Sequence, residues 1–97
     1  MGIRFGHSYV TVSQLVNVGR TLVAGFILTP NAGNADVTIW DGLDTVSGRK
    51  YGVFKALSNE SKVISLPLVE TFERGLYIEL GSNVLGVTVT WASEQLE

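Results

Sequence analysis

Residues 21–41 read TLVAGFILTPNAGNADVTIWD, and this stretch decides the fold of the chain. Its first part, TLVAGFILT, is apolar on both faces of an extended chain, which is typical of a strand covered on both sides. The next residues, PNAGN, are rich in the residue types that favour a turn. In ADVTIWD apolar and polar side chains alternate, with Ala35, Val37 and Ile39 on one face. The stretch therefore predicts two β-strands joined by a turn.

The rest of the chain continues this pattern of short alternating segments between turn residues. Strands are predicted at residues 9–12, 51–57, 62–66, 75–80 and 85–92. Pro67 should end the strand before it, because proline has no amide hydrogen for a ladder. Residues 70–74 should form a polar connection. No long window has the apolar spacing of a helix.

The length of 97 residues suits one domain. About seven to eight short strands with frequent turns predict an all-β fold, an antiparallel β-sandwich or a jelly roll. We interpret residues 1–14 as an N-terminal arm with the first short strand, and residues 15–97 as a single β-sandwich domain.

Composition narrows the function. The chain has 16% charged and 45% hydrophobic residues, whereas about a quarter of an average protein is charged. This balance favours a surface partly covered by a partner chain, and a tightly packed monomer is the alternative. Basic residues are scattered and the net charge is −2, so we expect no nucleic acid. The longest apolar run, residues 22–28, is far shorter than the ~20 residues of a membrane helix, and the N-terminus does not resemble a secretory signal.

Catalytic patterns are weak in this sequence. The chain has no cysteine and one histidine, His7, without a Gly-x-Ser-x-Gly motif. Asp36, Asp41 and Asp44 cluster around Gly42 and suggest a calcium loop, but the alternating oxygen ligands are missing and Asp41-Gly42 fits turn chemistry better. Glu70, Glu73 and Glu79 offer carboxylates that nothing draws into a cleft. We therefore predict that the protein is not an enzyme and that it binds neither a cofactor nor a metal ion.

The aromatic residues are the best candidates for contact with a partner. Trp40 lies opposite the apolar face of its strand, where it either contacts a partner or packs under a loop of its own domain. Trp91 shares a face with Val87 and Val89 and is expected in the core. Tyrosine and tryptophan are enriched at interfaces, because each combines a large apolar area with a polar group. The predicted interface residues are Phe5, His7, Tyr9, Trp40, Tyr51 and Tyr77.

Three motifs occur in a characteristic order. They are VTIWDG at residues 37–42, FERGLYI at residues 72–78 and GVTVTW at residues 86–91. Together with the apolar strand at 21–29, this order resembles small β-sandwich virion proteins of tailed bacteriophages, of the head-decoration or cement type. The resemblance covers roughly residues 20–92 and not the N-terminal arm.

The resemblance implies a non-enzymatic structural virion protein on the capsid surface, made in the host cytoplasm. Its partners would be the major capsid protein and copies of itself in a homotrimer. The N-terminal arm could reach a neighbouring subunit. Two alternatives remain: another virion module of the tail, connector or fibre, or a carbohydrate-binding module. The latter would need Trp40, Tyr51 and Tyr77 on one exposed face to stack on sugar rings.

Overall fold

The computed structural model describes residues 5–93, except for the side chains of residues 67 and 68. This part of the chain contains eight strands and no helix long and apolar enough to cross a membrane. The all-β prediction is confirmed. The strands are β1 (Gly6–Val10), β2 (Gln14–Val18), β3 (Thr21–Pro30), β4 (Ala35–Asp41), β5 (Arg49–Ala56), β6 (Lys62–Phe72), β7 (Gly75–Leu80) and β8 (Val84–Ser93).

The strands form two four-stranded antiparallel sheets. Sheet A has the order β1-β8-β3-β6, and sheet B has the order β2-β7-β4-β5. The first strand thus pairs with the last, the second with the seventh, the third with the sixth and the fourth with the fifth. This is the order produced when one long antiparallel ribbon rolls up into two layers. Of the two predicted architectures, the topology is that of a jelly roll.

One hydrophobic core lies between the sheets. It is built from the alternating inward residues of the central strands, including the fully buried Val37 and Ile39 of β4 and Val87 and Val89 of β8. Trp91 is half-buried, packs against this core as predicted, and donates a hydrogen bond from Nε1 to Ser8 Oγ at 3.0 Å. The alternation read from the sequence therefore places the core correctly.

Strand β6 differs from its prediction. It does not end at Pro67 but continues to Phe72, and it includes most of the predicted polar connection. The reason is that β6 is an edge strand, where proline is tolerated. Its register against β3 also jumps from Ser65 to Glu70, so that a bulge accommodates the residues around Pro67.

The N-terminal part of the chain belongs to the sandwich. Strand β1 pairs with β8, and Val10 is fully buried in the core, so the sandwich begins within the predicted arm. Strand β2, which pairs with β7, was not predicted, because its sequence QLVNV has no clean alternation. The remainder of the predicted arm, residues 1–4, lies outside the described residues.

Two of the resemblance motifs meet in space. The carboxylate of Asp41 accepts hydrogen bonds from the backbone N–H groups of Glu73, at 3.2 Å, and Arg74, at 2.9 Å. The N–H of Gly42 donates to the carbonyl of Gly75 at 3.1 Å. The loop after β4 is thereby fastened to the turn between β6 and β7, so these motif residues have a structural role.

Candidate interaction surface

The outer face of sheet A is almost free of charge. The four strands of this sheet contain two formally charged residues, Lys62 and Glu70, both on edge strand β6. Their register partners on β3 are the buried Leu28 and Val23, so both face the inner side of the sheet. No charged side chain of the described strands therefore projects from the outer face, which we call the uncharged face.

Apolar groups are exposed on the uncharged face. Tyr9, Thr88, Ile27 and Val63 are register partners in a row across all four strands. Tyr9 is 53% exposed, Ile27 38% and Val63 62%. Strand β3 was expected to be covered on both sides, but among residues 5–93 only its inner side is covered by the other sheet. An exposed apolar patch on a folded domain often marks a binding surface.

The uncharged face contains a shallow depression where β3 bulges between Val23 and Gly25. Exposed or half-exposed side chains of Ile27, Val63 and Thr90 border it. Beside it, the ring of Tyr9 lies across Gly86, where a β-carbon would overlap the phenol. The face therefore has a shallow depression and, next to it, a projecting aromatic ring.

Uncharged surface continues around the N-terminal side of the sandwich. Residues 5–19 contain no aspartate, glutamate, lysine or arginine. Their exposed large apolar residues are Phe5, Tyr9, Val12, Leu15 and Val18. Strands β1 and β2 form this side, whereas β5 and β6 on the opposite side contain Arg49, Lys50, Lys55, Lys62 and Glu70. Among the described strands, the edge strands β1 and β2 thus carry no formal charge, whereas the opposite edge strands β5 and β6 carry five charged residues.

The outer face of sheet B has a different character. Asp36 and Lys55 are register partners there, and Glu79 lies opposite Thr38. The face therefore carries both signs of charge, which is typical of a solvated surface.

Trp40 and Tyr77 are register neighbours on this charged face. Trp40 Nε1 donates a hydrogen bond to Glu79 Oε1 at 3.0 Å, and Lys50 Nζ lies 5.5 Å from the centre of the Trp40 ring. Trp40 is half-buried among these side chains of the neighbouring strands.

Tyr51 lies at the open edge between the two sheets. Its ring packs on Phe54 and Phe72, with centroids 6.4 and 5.0 Å away, and its hydroxyl donates to Glu70 Oε1 at 3.4 Å. Burial raises the pKa of the Tyr51 phenol above its ordinary value of 10.0, and the negative charge of Glu70 adds to this shift. The ring faces the core edge rather than the face of Trp40 and Tyr77.

The structure therefore divides the six predicted interface residues. His7 and Tyr9 alternate on the outer side of β1, with Phe5 just before that strand, while Trp40 and Tyr77 lie on the opposite face and Tyr51 at the edge. The residues that sequence reasoning missed are Ile27, Val63, Thr88 and Thr90. Their signal was the two-sided apolar pattern of β3, but only the sheet order shows which strands flank it.

The aspartates considered for calcium hold loops in place. Asp44 accepts hydrogen bonds from the N–H groups of Val46 and Ser47 and from the Ser47 hydroxyl. The bonds from Ser47 hold the pKa of Asp44 below its ordinary value of 3.8. Asp36 accepts from the N–H of Ser82 at 3.1 Å. Among the described residues, no group of three or more histidine, aspartate or glutamate side chains is arranged to hold a metal ion.

Comparisons with protein-family models, curated proteins and solved structures find no match to this chain. The described residues form a small jelly-roll domain whose sheet A has an uncharged, partly apolar outer face.

Proposed function

We propose that this chain is a non-enzymatic structural virion protein that cements a tailed-phage capsid by binding the major capsid protein and further copies of itself. The observation that supports this proposal best is the uncharged face of sheet A. A protein that covers a lattice needs a broad binding surface rather than a deep pocket, and this face is broad, open and without charge.

The size of the face suits a protein partner. Ten-residue strands such as β3 and β8 are about 33 Å long, and four strands span about 19 Å, which gives roughly 600 Å². A standard protein interface buries about 800 Å² on each partner. Covering Tyr9, Ile27 and Val63 would remove exposed apolar area from water, at a gain of about 25 cal/mol per Å² before the costs of association.

Two further points support a virion role. Jelly rolls occur in viral capsid proteins, although they also occur in lectins and cupins, so the fold alone does not decide. The order of the motifs resembles small phage virion proteins. A carbohydrate-binding role fits less well, because Tyr51 does not share an exposed face with Trp40 and Tyr77.

The proposal is tested by following the chain in particles. A tagged form of the chain is produced in host cells during growth of a phage that encodes it. Phage particles are purified on a density gradient, and cryo-electron microscopy locates the tagged chain in them. Density on the head surface, with sheet A facing the capsid, is the expected result. Density at the tail or connector would support the alternative virion role, and a chain that remains wholly in the soluble fraction would overturn both.

A further inference from the structure

The four edge strands of the sandwich differ in their protection against pairing with another chain. Exposed edges are normally protected by charged side chains, prolines or bulges. Strand β5 carries Arg49, Lys50 and Lys55, and its register shifts after Ile39 of β4. Strand β6 has Lys62 and the bulge around Pro67. Strand β2 is bulged between Leu15 and Asn17.

Strand β1 has none of these features. Its sequence, GHSYV, contains no formally charged residue and no proline. It pairs with β8 in continuous register from Gly6 to Val10. Among residues 5–93, β8 is the only strand that pairs with β1, so the backbone groups on its other edge face outward. An edge of this kind is a ready template for an added strand.

We propose that β1 pairs antiparallel with β1 of a second copy of this chain, about a two-fold axis through Ser8. The two copies of sheet A then form one continuous eight-stranded sheet. This inference rests on the four edges alone and does not depend on a virion role.

A second copy is the occupant because two uncharged β1 edges can meet along their whole length. An axis through Ser8, the middle residue, pairs all five residues of β1, and facing residues of the antiparallel pair then lie on the same side of the sheet. His7 then faces Tyr9 of the second copy on the outer side, and Gly6 faces Val10. The absence of formal charge on β1 means that two identical edges meet without repulsion.

The interface is short, which sets its expected strength. Two five-residue strands, flanked by the exposed Phe5 and Val12, bury less than the roughly 1,200 Å² at the low end of stable interfaces. Interfaces of about 1,600 Å² range from micromolar to picomolar affinity, so for this smaller one we expect a dimer with a dissociation constant of the order of micromolar.

Cysteine cross-linking tests the pairing, since the chain has no cysteine of its own. In His7→Cys/Tyr9→Cys, the cysteine at position 7 of one copy would face the cysteine at position 9 of the other copy. Their separation would be close to that of a disulfide. The matched control is Val63→Cys/Ser65→Cys, on the same outer face but on protected edge strand β6. Rapid formation of a disulfide-linked dimer by the first variant alone is expected. Equal rates for both variants would contradict the pairing.

Charge exchange provides the second test. His7→Lys/Tyr9→Lys and His7→Glu/Tyr9→Glu each place like charges opposite one another, so each should weaken self-association at least about tenfold, or 1.4 kcal/mol. An equimolar mixture should associate again as a heterodimer. Sedimentation equilibrium gives the mass, and circular dichroism confirms that both variants fold. A wild-type monomer or trimer at about 500 µM, well above the expected dissociation constant, would overturn the inference.

Discussion

The phenol ring of Tyr9 lies across the α-carbon of Gly86, on the neighbouring strand of sheet A. Gly86 precedes Val87, the register partner of Val10, so the ring crosses from edge strand β1 onto central strand β8. Any side chain at position 86 would occupy the space of the ring. The glycine thus gives Tyr9 a place to lie on the uncharged face, and Tyr9 covers a backbone that would otherwise face water.

The first prediction concerns this pair. Gly86→Ala should displace the Tyr9 ring and cost about 0.5–1.5 kcal/mol of unfolding free energy, because the end of a tyrosine side chain can rotate away but loses its packing. In a Tyr9→Ala background the same change should be neutral or stabilising, since alanine restricts the unfolded chain more than glycine. Urea unfolding of the four proteins gives the coupling energy. Equal costs in both backgrounds would show that the contact contributes nothing.

The second prediction concerns the connection between the loop after β4 and the turn after β6. Asp41→Ala removes the acceptor for the N–H groups of Glu73 and Arg74, and should cost about 1–3 kcal/mol. The control is Asp44→Ala, whose hydrogen bonds remain within its own exposed turn. Thermal unfolding should show a larger loss for the change at Asp41. The opposite order would mean that the two loops are held together by other contacts.

The contacts of β4 and of the loop after it show which features could be predicted from the sequence and which could not. Alternation located the inward residues of β4 and β8, because burial of one face acts on residues two apart. The motif containing Asp41 and Gly42 was recognisable in the sequence. Its structural role was not, because the hydrogen bond from the N–H of Gly42 goes to the carbonyl of Gly75, which lies far along the chain. The sequence left open whether Trp40 contacts a partner or packs under a loop, because it does not reveal that Glu79 accepts a hydrogen bond from the indole and that Lys50 lies over the ring.

The uncharged face shows the same limit more strongly. Tyr9 and Ile27 share this surface because β8 lies between their strands. Local sequence pattern specifies strands and turns, whereas the order of strands in a sheet depends on pairings between distant segments. The continuation of β6 past Pro67 is another such case, since an edge position removes the need for the missing amide hydrogen.

The third prediction concerns Thr21, the buried polar residue of β3. Its hydroxyl donates to the carbonyl of Gly19 at 2.9 Å and accepts from Asn17 Nδ2 at 2.8 Å. Thr21→Val keeps the shape but leaves both partners unsatisfied, and should cost about 1–3 kcal/mol in urea unfolding. Thr29→Val, at a half-buried outward position of the same strand, should change stability by less than about 0.5 kcal/mol. A cost below about 0.5 kcal/mol for Thr21→Val would contradict this assignment.

The fourth prediction concerns pH. Burial and the charge of Glu70 raise the pKa of Tyr51 in the folded protein. At pH values between the unfolded and the folded pKa, the Tyr51 phenol is therefore ionised in the unfolded chain and still protonated in the folded protein. The stabilisation is complete below about pH 10 and is lost as the pH rises through the folded pKa. Absorbance titration of phenolate should show an ionisation step above the ordinary tyrosine pKa of 10.0. Tyr51→Phe should remove that step, and Glu70→Gln should lower its pKa; if the step survives in Tyr51→Phe, the assignment is wrong.

The fifth prediction links the uncharged face to its proposed partner. Thr88 and Thr38 occupy equivalent half-buried outward positions on central strands of sheets A and B. Thr88→Lys would place a charge between Tyr9 and Ile27, whereas Thr38→Lys would lie opposite Glu79. Both variants change the net charge equally, so any difference reflects the location of the charge. Thr88→Lys should weaken association with purified particles at least about tenfold, because an unpaired charge in an apolar interface is costly to desolvate. Thr38→Lys should bind like the wild type, and equal binding by both variants would exclude sheet A as the contact face.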